Sequence, residues 1–248
     1  MKERYTHIGR SVAVGLAALV MNISAVFGDH KWTVSDTQPL VLAQSSRATQ
    51  IQSIQMYPKL SVTAPPEHFE QAKKTLDSVM NYLIQDFGPA PAEIGNLTVI
   101  FKDVIGGDLH ITQYPNGSRS TTVDPIYLRE DQAHTITHEV FHGLYQTDRM
   151  LDSLPLAELE KWATYAEYRY KYHGQDNLQI AQKLKEDFDM STPEKRNMAA
   201  SRELRDGISG SERQIISAAL ALQLFEKPHQ QNYVTYRNML RANVPKIP

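Results

Sequence analysis

Cysteine is absent from the 248 residues, and neither sign of charge is in large excess, since the formal net charge is −2. The lack of cysteine excludes disulfides, thiolate metal ligands and cysteine nucleophiles, so any metal site must be built from histidine and carboxylate. Without a basic excess, nucleic acid is not expected as a partner. With 41% hydrophobic and 22% charged residues, the composition excludes disordered, collagen-like and multi-span membrane proteins.

An N-terminal targeting segment is predicted for residues 1–28. Three basic side chains in residues 1–10 precede an uncharged stretch of 17 residues, 11–27. This pattern is typical of a secretory signal peptide, so we expect an exported protein that is periplasmic, secreted or anchored at the outer face of a membrane. Cleavage after Gly28 and cleavage after Ala43 both stay open, as does an uncleaved segment that would be the membrane contact.

The remaining sequence predicts a linker followed by one domain. Residues 29–65 are rich in Ser, Thr, Gln and Pro and are interpreted as a linker. Residues 66–248 are interpreted as the domain, which opens with an amphipathic helix that starts at Pro65-Pro66 and ends at Gly88-Pro89. Its helical pattern places apolar side chains three and four positions apart, which is typical of a helix with one face on a core.

Strands are expected before the remaining helices. LTVIF (97–101) predicts a buried strand, turn signals flank a short strand near 109–111, and 120–128 predicts a strand at a sheet edge because it contains Pro125. Helical patterns are predicted at about 131–146, 155–173, 176–188, 194–206, 210–226 and 230–241. The order indicates an α+β fold, with a small N-terminal mixed or antiparallel sheet and a mostly helical C-terminal part.

The motif that carries chemistry is HEVFH at 138–142. On a helix, His138 and His142 share one face because positions four apart differ by about 40° around the axis. Two imidazoles so placed can bind one Zn²⁺. Glu139 points about 100° away from His138 and fits the role of a general base toward a water activated by the metal. His134, one turn earlier, is interpreted as a solvent-facing or capping residue.

A third zinc ligand is expected to be a carboxylate, because no histidine follows His142 until His173. The helix predicted after Pro155 offers Glu160 and, two turns later on nearly the same face, Glu167. Residue periodicity alone leaves both open.

HEVFH followed by ELEKWATY resembles the gluzincin metallopeptidases, the thermolysin-like branch of the zincins, over roughly residues 66–240. In that family a second helix carries the third zinc ligand in a pattern with Gly, Ala and Tyr after the Glu. Aligning on Ala163 and Tyr165 places the ligand at Glu160. The resemblance implies a zincin-like fold, a Zn²⁺ cofactor and hydrolysis of peptide bonds in a peptide or protein substrate, with Glu139 as the general base.

Two positions depart from the family pattern. Lys161 stands where the family usually has Gly, which places a long cation close to the expected site. Many gluzincins stabilise the oxyanion with a Tyr or His from a later helix, and here Tyr233, Tyr236 and His229 stay open for that role. The alternative function is therefore a non-catalytic zinc-binding or structural module of zincin fold at the cell envelope. A chance HEVFH in a helical protein would bind no stoichiometric zinc.

Overall fold

The computed structural model describes residues 51–104, 110–113, 117–202, 204 and 208–243. The predicted targeting segment 1–28, both candidate cleavage points and the first part of the predicted linker lie outside these ranges. Among the described residues, no helix combines the length and the apolar character that crossing a membrane requires.

A five-stranded mixed sheet has the strand order β1-β2-β3-β5-β4. The three inner strands β2, β3 and β5 run parallel, while β1 pairs antiparallel with β2 and β4 antiparallel with β5. In β2 and β3 alternate residues are buried, so these strands present one apolar face to the helices that cover them. The strands are β1 (Gln52–Tyr57), β2 (Leu60–Ala64), β3 (Leu97–Phe101), β4 (His110–Gln113) and β5 (Arg119–Val123).

Two sequence expectations are wrong in this sheet. Residues 52–64, in the second half of the predicted linker, form the strands β1 and β2. The predicted edge strand 120–128 lies inside the sheet between β3 and β4, and it ends at Val123. Pro125 does not weaken that strand, because it begins a short 3₁₀ helix that Asp124 caps through the backbone N–H of Ile126. The edge strand next to β5 is β4, and the opposite edge strand is β1.

The helices follow the predicted order with one addition, the short helix Asp148–Ser153, which the sequence did not predict. Their bounds are α1 (Pro66–Phe87), α2 (Ala133–Tyr145), α3 (Asp148–Ser153), α4 (Leu156–Lys171), α5 (Asn177–Asp187), α6 (Pro193–Ala200), α7 (Gly210–Phe225) and α8 (His229–Ala242). The helix predicted at 194–206 ends earlier, at Ala200. The predicted α+β fold is confirmed, with a small mixed sheet first and a mostly helical part after it.

Helix α2 lies at the centre of this arrangement. It packs against the sheet, against α1 and, most extensively, against α4, while α7 packs along α4. Val140, Phe141 and Leu144 are fully buried on the core side of α2. The opposite face, which carries the histidines of the HEVFH motif, therefore lies against α4.

Close packing of α2 on the sheet depends on Gly143. A Cβ at this position would come within 2.6 Å of Leu97 Cδ2 and 2.8 Å of Leu97 Cδ1 in β3. These distances are shorter than real Cβ contacts, so any larger residue here would force Leu97 or the helix to shift. Gly143 thus sets the depth at which His142, the preceding residue, is held.

Candidate metal centre

Helices α2 and α4 bring three metal-binding side chains together. His138 and His142 from α2 and Glu160 from α4 each offer one ligand atom, and these atoms lie within 4.8 Å of one another. Nε2 of His138 lies 3.0 Å from Nε2 of His142 and 3.2 Å from Glu160 Oε2, and His142 Nε2 lies 3.8 Å from Glu160 Oε1. We call these three residues the His-His-Glu cluster.

The other ring nitrogen of each histidine faces a hydrogen-bond acceptor. Nδ1 of His138 lies 3.0 Å from Glu167 Oε2, and Nδ1 of His142 lies 2.8 Å from Gln146 Oε1. The amide of Gln146 is oriented by its other end, since its Nε2 donates to the carbonyl of Leu159 at 2.7 Å. In its neutral form each ring therefore carries its proton on Nδ1 and presents an Nε2 lone pair to the cluster.

This arrangement suits the cluster to a cation. Two imidazole lone pairs 3.0 Å apart, next to a carboxylate, repel one another unless a proton or a metal ion lies among them. A set of two histidine nitrogens and one carboxylate is the donor set of catalytic zinc sites that leave a fourth position for water or substrate. The side chains present thus fit Zn²⁺.

Burial and neighbouring charges have opposite effects on the pKa of three ionisable side chains, Glu160, His138 and Glu139. Burial favours the neutral form of Glu160, but His138 and His142 outweigh it and hold its pKa well below the usual value. Burial likewise opposes a charged His138, yet Glu160 and Glu167 hold the pKa of that imidazole well above its usual value. For Glu139 burial prevails over the nearby histidines, and its pKa is raised.

Glu167 and Glu160 have different positions, which the sequence left open. Glu160 contacts the Nε2 atoms of both histidines, whereas Glu167 contacts Nδ1 of His138 and lies 3.7 Å from Nε2 of His134. Glu160 therefore lies on the Nε2 side of the His138 ring, and Glu167 lies on its Nδ1 side. His134 pairs with Glu167 and is not in the cluster.

A buried arginine holds the end of α2. Arg119, the first residue of β5, donates from Nη1 to the carbonyls of His142, Gly143 and Gln146 at 3.1, 3.0 and 2.7 Å. Its Nη2 forms an ion pair with Asp148. These carbonyls belong to the last turn and C-cap of the helix, where intrahelical donors are generally lacking, and a cation at a helix C-terminus is favoured by the helix dipole. Arg119 therefore holds the last turn of α2, which carries His142, and also the backbone of Gln146, whose side chain orients the His142 ring.

Lys161, the cation expected near the site, is held elsewhere. Its Nζ bonds Glu158 Oε2 at 2.5 Å, and the other oxygen of Glu158 accepts from the indole N–H of Trp162 at 3.0 Å. The side chain of Lys161 therefore runs along α4, and its ammonium group bonds Glu158 rather than a member of the His-His-Glu cluster.

The three candidate oxyanion donors of the late helices lie away from the cluster. The buried hydroxyl of Tyr236 donates to the carbonyl of Tyr145. Nδ1 of His229 lies 2.9 Å from the hydroxyl of Tyr165, and the hydroxyl of Tyr233 lies beside the residue that ends α1. Within the described residues none of the three contacts the His-His-Glu cluster.

Three side chains of this region were not foreseen from the sequence. Gln146 repeats the four-residue spacing of the histidines, and that signal could have indicated it. Arg119 and Arg213 carry no such signal, because they come from β5 and from the first turn of α7. Nη1 of Arg213 lies 3.8 Å from Glu160 Oε1.

Comparisons with known proteins give a remote structural likeness. No family model matches the sequence, and no curated protein matches it. Solved structures that match are yeast LTA4 hydrolase in complex with bestatin (15% identity, TM-score 0.47) and native leukotriene A4 hydrolase from Saccharomyces cerevisiae (14%, 0.49). The matches cover 78% and 77% of this chain and 33% of each hydrolase chain. The chain thus spans about a third of the length of these proteins.

Proposed function

We propose that this protein is a zinc-dependent peptidase. His138, His142 and Glu160 hold Zn²⁺, and Glu139 is the general base. The observation that carries the proposal is the convergence of two Nε2 lone pairs and one carboxylate, with both tautomers fixed by partners on Nδ1. Zn²⁺ bound there would act as a Lewis acid that acidifies water and polarises a peptide carbonyl.

Glu139 has the environment that a general base needs. It lies on the same helix as both histidines and is half-buried, and burial raises its pKa toward neutral pH. Its carboxylate takes a proton from the attacking water while the water oxygen bonds to the carbonyl carbon and the π electrons move to the carbonyl oxygen. When the C–N bond breaks, Glu139 returns this proton to the leaving nitrogen.

The substrate we propose is a peptide or protein segment in extended conformation. Strand β4 lies at the end of the strand order, antiparallel to β5, and both strands pack against α2. An extended peptide could add to such an edge by main-chain hydrogen bonds. Export is proposed from the pattern of residues 1–27, and it places this chemistry outside the cytoplasm.

The test of the proposed function is Glu139→Gln in the full chain. The variant should keep one zinc per chain and lose peptide cleavage by a factor of about 10² or more, because only the proton transfer is removed. Glu70→Gln, at a side chain that is 82% exposed on α1, is the matched control and should cleave like the parent. Equal cleavage by Glu139→Gln would contradict the mechanism.

The alternative is a zincin-like module that binds zinc without turnover. It is favoured by one observation: within the described residues, Tyr233, Tyr236 and His229 make no contact with the His-His-Glu cluster. Both functions require the metal, so zinc content does not separate them. Turnover of any peptide that is lost in Glu139→Gln would exclude the alternative.

A further inference from the structure

We infer that Arg213 supplies the cation that faces the oxyanion in this site, an inference that rests on the proposed peptidase function. The residue lies in the first turn of α7, which packs along α4. Its Nη1 lies 3.8 Å from Oε1 of Glu160, and the same oxygen lies 3.8 Å from Nε2 of His142. The guanidinium therefore adjoins the donor atoms of the His-His-Glu cluster.

The donors of Arg213 are available to a ligand. At 3.8 Å its approach to Glu160 is longer than a hydrogen bond. In the part of the chain that the structure describes, no other side-chain partner of this guanidinium is found. The side chain is 38% exposed, so a bound peptide can reach it while the protein still shields part of its charge. A guanidinium has five N–H donors in a fixed plane, which suits a negatively charged oxygen.

Peptide hydrolysis at this site would require a group that stabilises negative charge on the substrate. Attack of water on the peptide carbonyl places a full negative charge on the carbonyl oxygen, next to the metal donors. The carboxylate of Glu160 already lies among these donors, so the new charge forms beside an existing negative charge. Tyr236 and His229 are hydrogen-bonded elsewhere and Tyr233 lies beside the end of α1, whereas Arg213 lies next to the cluster and can offset the new charge by hydrogen bonding.

A simpler role for Arg213 would be to neutralise Glu160. The two roles differ in their effect on zinc. A cation that only neutralises a metal ligand opposes metal binding, so its removal should increase the affinity for zinc. If Arg213 instead faces the oxyanion, its removal should leave the zinc affinity nearly unchanged and weaken only the binding of tetrahedral anionic ligands.

The experiment compares two leucine compounds on the zinc-loaded full chain. N-phosphorylleucinamide is tetrahedral and anionic like the intermediate, whereas N-acetyl-leucine hydroxamic acid binds a metal through two oxygens in a plane. Dissociation constants by calorimetry and zinc affinity by chelator competition are measured for the parent chain, Arg213→Gln and Arg213→Lys. Arg202→Gln is the control, because this nearby exposed arginine pairs with Glu212 and not with the cluster.

Arg213→Gln should weaken the phosphoryl compound about 100-fold, while the hydroxamate and zinc affinities stay within about threefold. Arg213→Lys should restore part of the loss, and Arg202→Gln should change nothing. Equal losses for both compounds, tighter zinc in Arg213→Gln, or no effect on either compound would overturn the assignment. A parent chain that takes up no zinc would instead overturn the proposed function, and the inference with it.

Discussion

Nδ1 of His138 lies 3.0 Å from Oε2 of Glu167, while Nε2 of the same ring lies 3.2 Å from Oε2 of Glu160. One imidazole thus links two carboxylates of α4 that are seven residues apart. The far carboxylate holds the Nδ1 proton, which fixes the ring orientation and makes Nε2 a better donor to a metal.

Removing the charge of Glu167 should weaken zinc binding without removing a ligand. Glu167→Gln loses the carboxylate that orients His138 and raises its basicity, and we expect the zinc dissociation constant to rise about 10–100-fold. Chelator competition measures this, with Glu70→Gln as the control. An unchanged zinc affinity would show that the ring is held without Glu167.

Arg119→Met should destabilise the fold. It leaves buried carbonyls at the end of α2 without their donor, and we expect a loss of about 2–4 kcal/mol in the free energy of unfolding. Asp148→Asn is the matched variant for the exposed side of the same ion pair, where about half of the carboxylate side chain is in solvent. It should cost at most about 1 kcal/mol. Urea denaturation measures both, and similar losses would contradict the role assigned to the carbonyl contacts.

Gly143→Ala should force α2 away from β3. Its Cβ would meet the side chain of Leu97 at 2.6 Å, and overpacking of this kind costs about 1–3 kcal/mol. The displaced helix should also bind zinc more weakly, because His142 moves with it. Adding Leu97→Val makes room and should recover part of both losses. If the double variant is no better than Gly143→Ala, steric contact with Leu97 is not the cause.

The metal-free protein should lose stability as the pH rises above about 6.5. Glu160 and Glu167 raise the pKa of His138 in the folded chain against the effect of burial. The resulting stabilisation is fully present below the pKa of histidine in the unfolded chain, and it is lost as the pH rises through the pKa of His138 in the folded chain. The lowered pKa of Glu160 contributes stability above about pH 4.3 that is lost as the pH falls through its folded value. Both contributions are complete between these limits.

The check is the difference in Tm between the metal-free parent and His138→Gln from pH 5 to pH 9. We expect this difference to shrink with rising pH, and saturating zinc should restore it because the metal takes the place of the proton. A difference that grows with pH in the absence of metal would contradict the charge arrangement of the cluster.

Much of the fold could be predicted because its elements have strong local patterns. LTVIF and the helix that carries HEVFH bury residues at regular spacing, and both were located correctly. Strand β2 was missed although LSVTA alternates between buried and half-buried residues, because its polar surroundings resemble a linker. Strand β1 has mostly exposed side chains and offered no apolar pattern. Its pairing with β2 is a tertiary effect that local sequence does not carry.

Part of the candidate site could also be predicted from the sequence, and part of it could not. His138, His142 and Glu160 were predicted together, and the structure brings them within reach of one ion. The separate positions of Glu160 and Glu167 could not be predicted, because residues seven apart on a helix point in nearly the same direction. Arg119 and Arg213 reach the site from distant parts of the chain, and only the folded arrangement shows this.

The most direct test of the account is the zinc content of the purified chain beside its His142→Ala variant, by elemental analysis after equal exposure to zinc and removal of loosely bound metal. We expect one zinc per chain in the parent and none retained in the variant, since two donors without the second imidazole hold the ion poorly. No stoichiometric zinc in the parent after loading with excess metal would contradict the metal centre and the peptidase proposed from it.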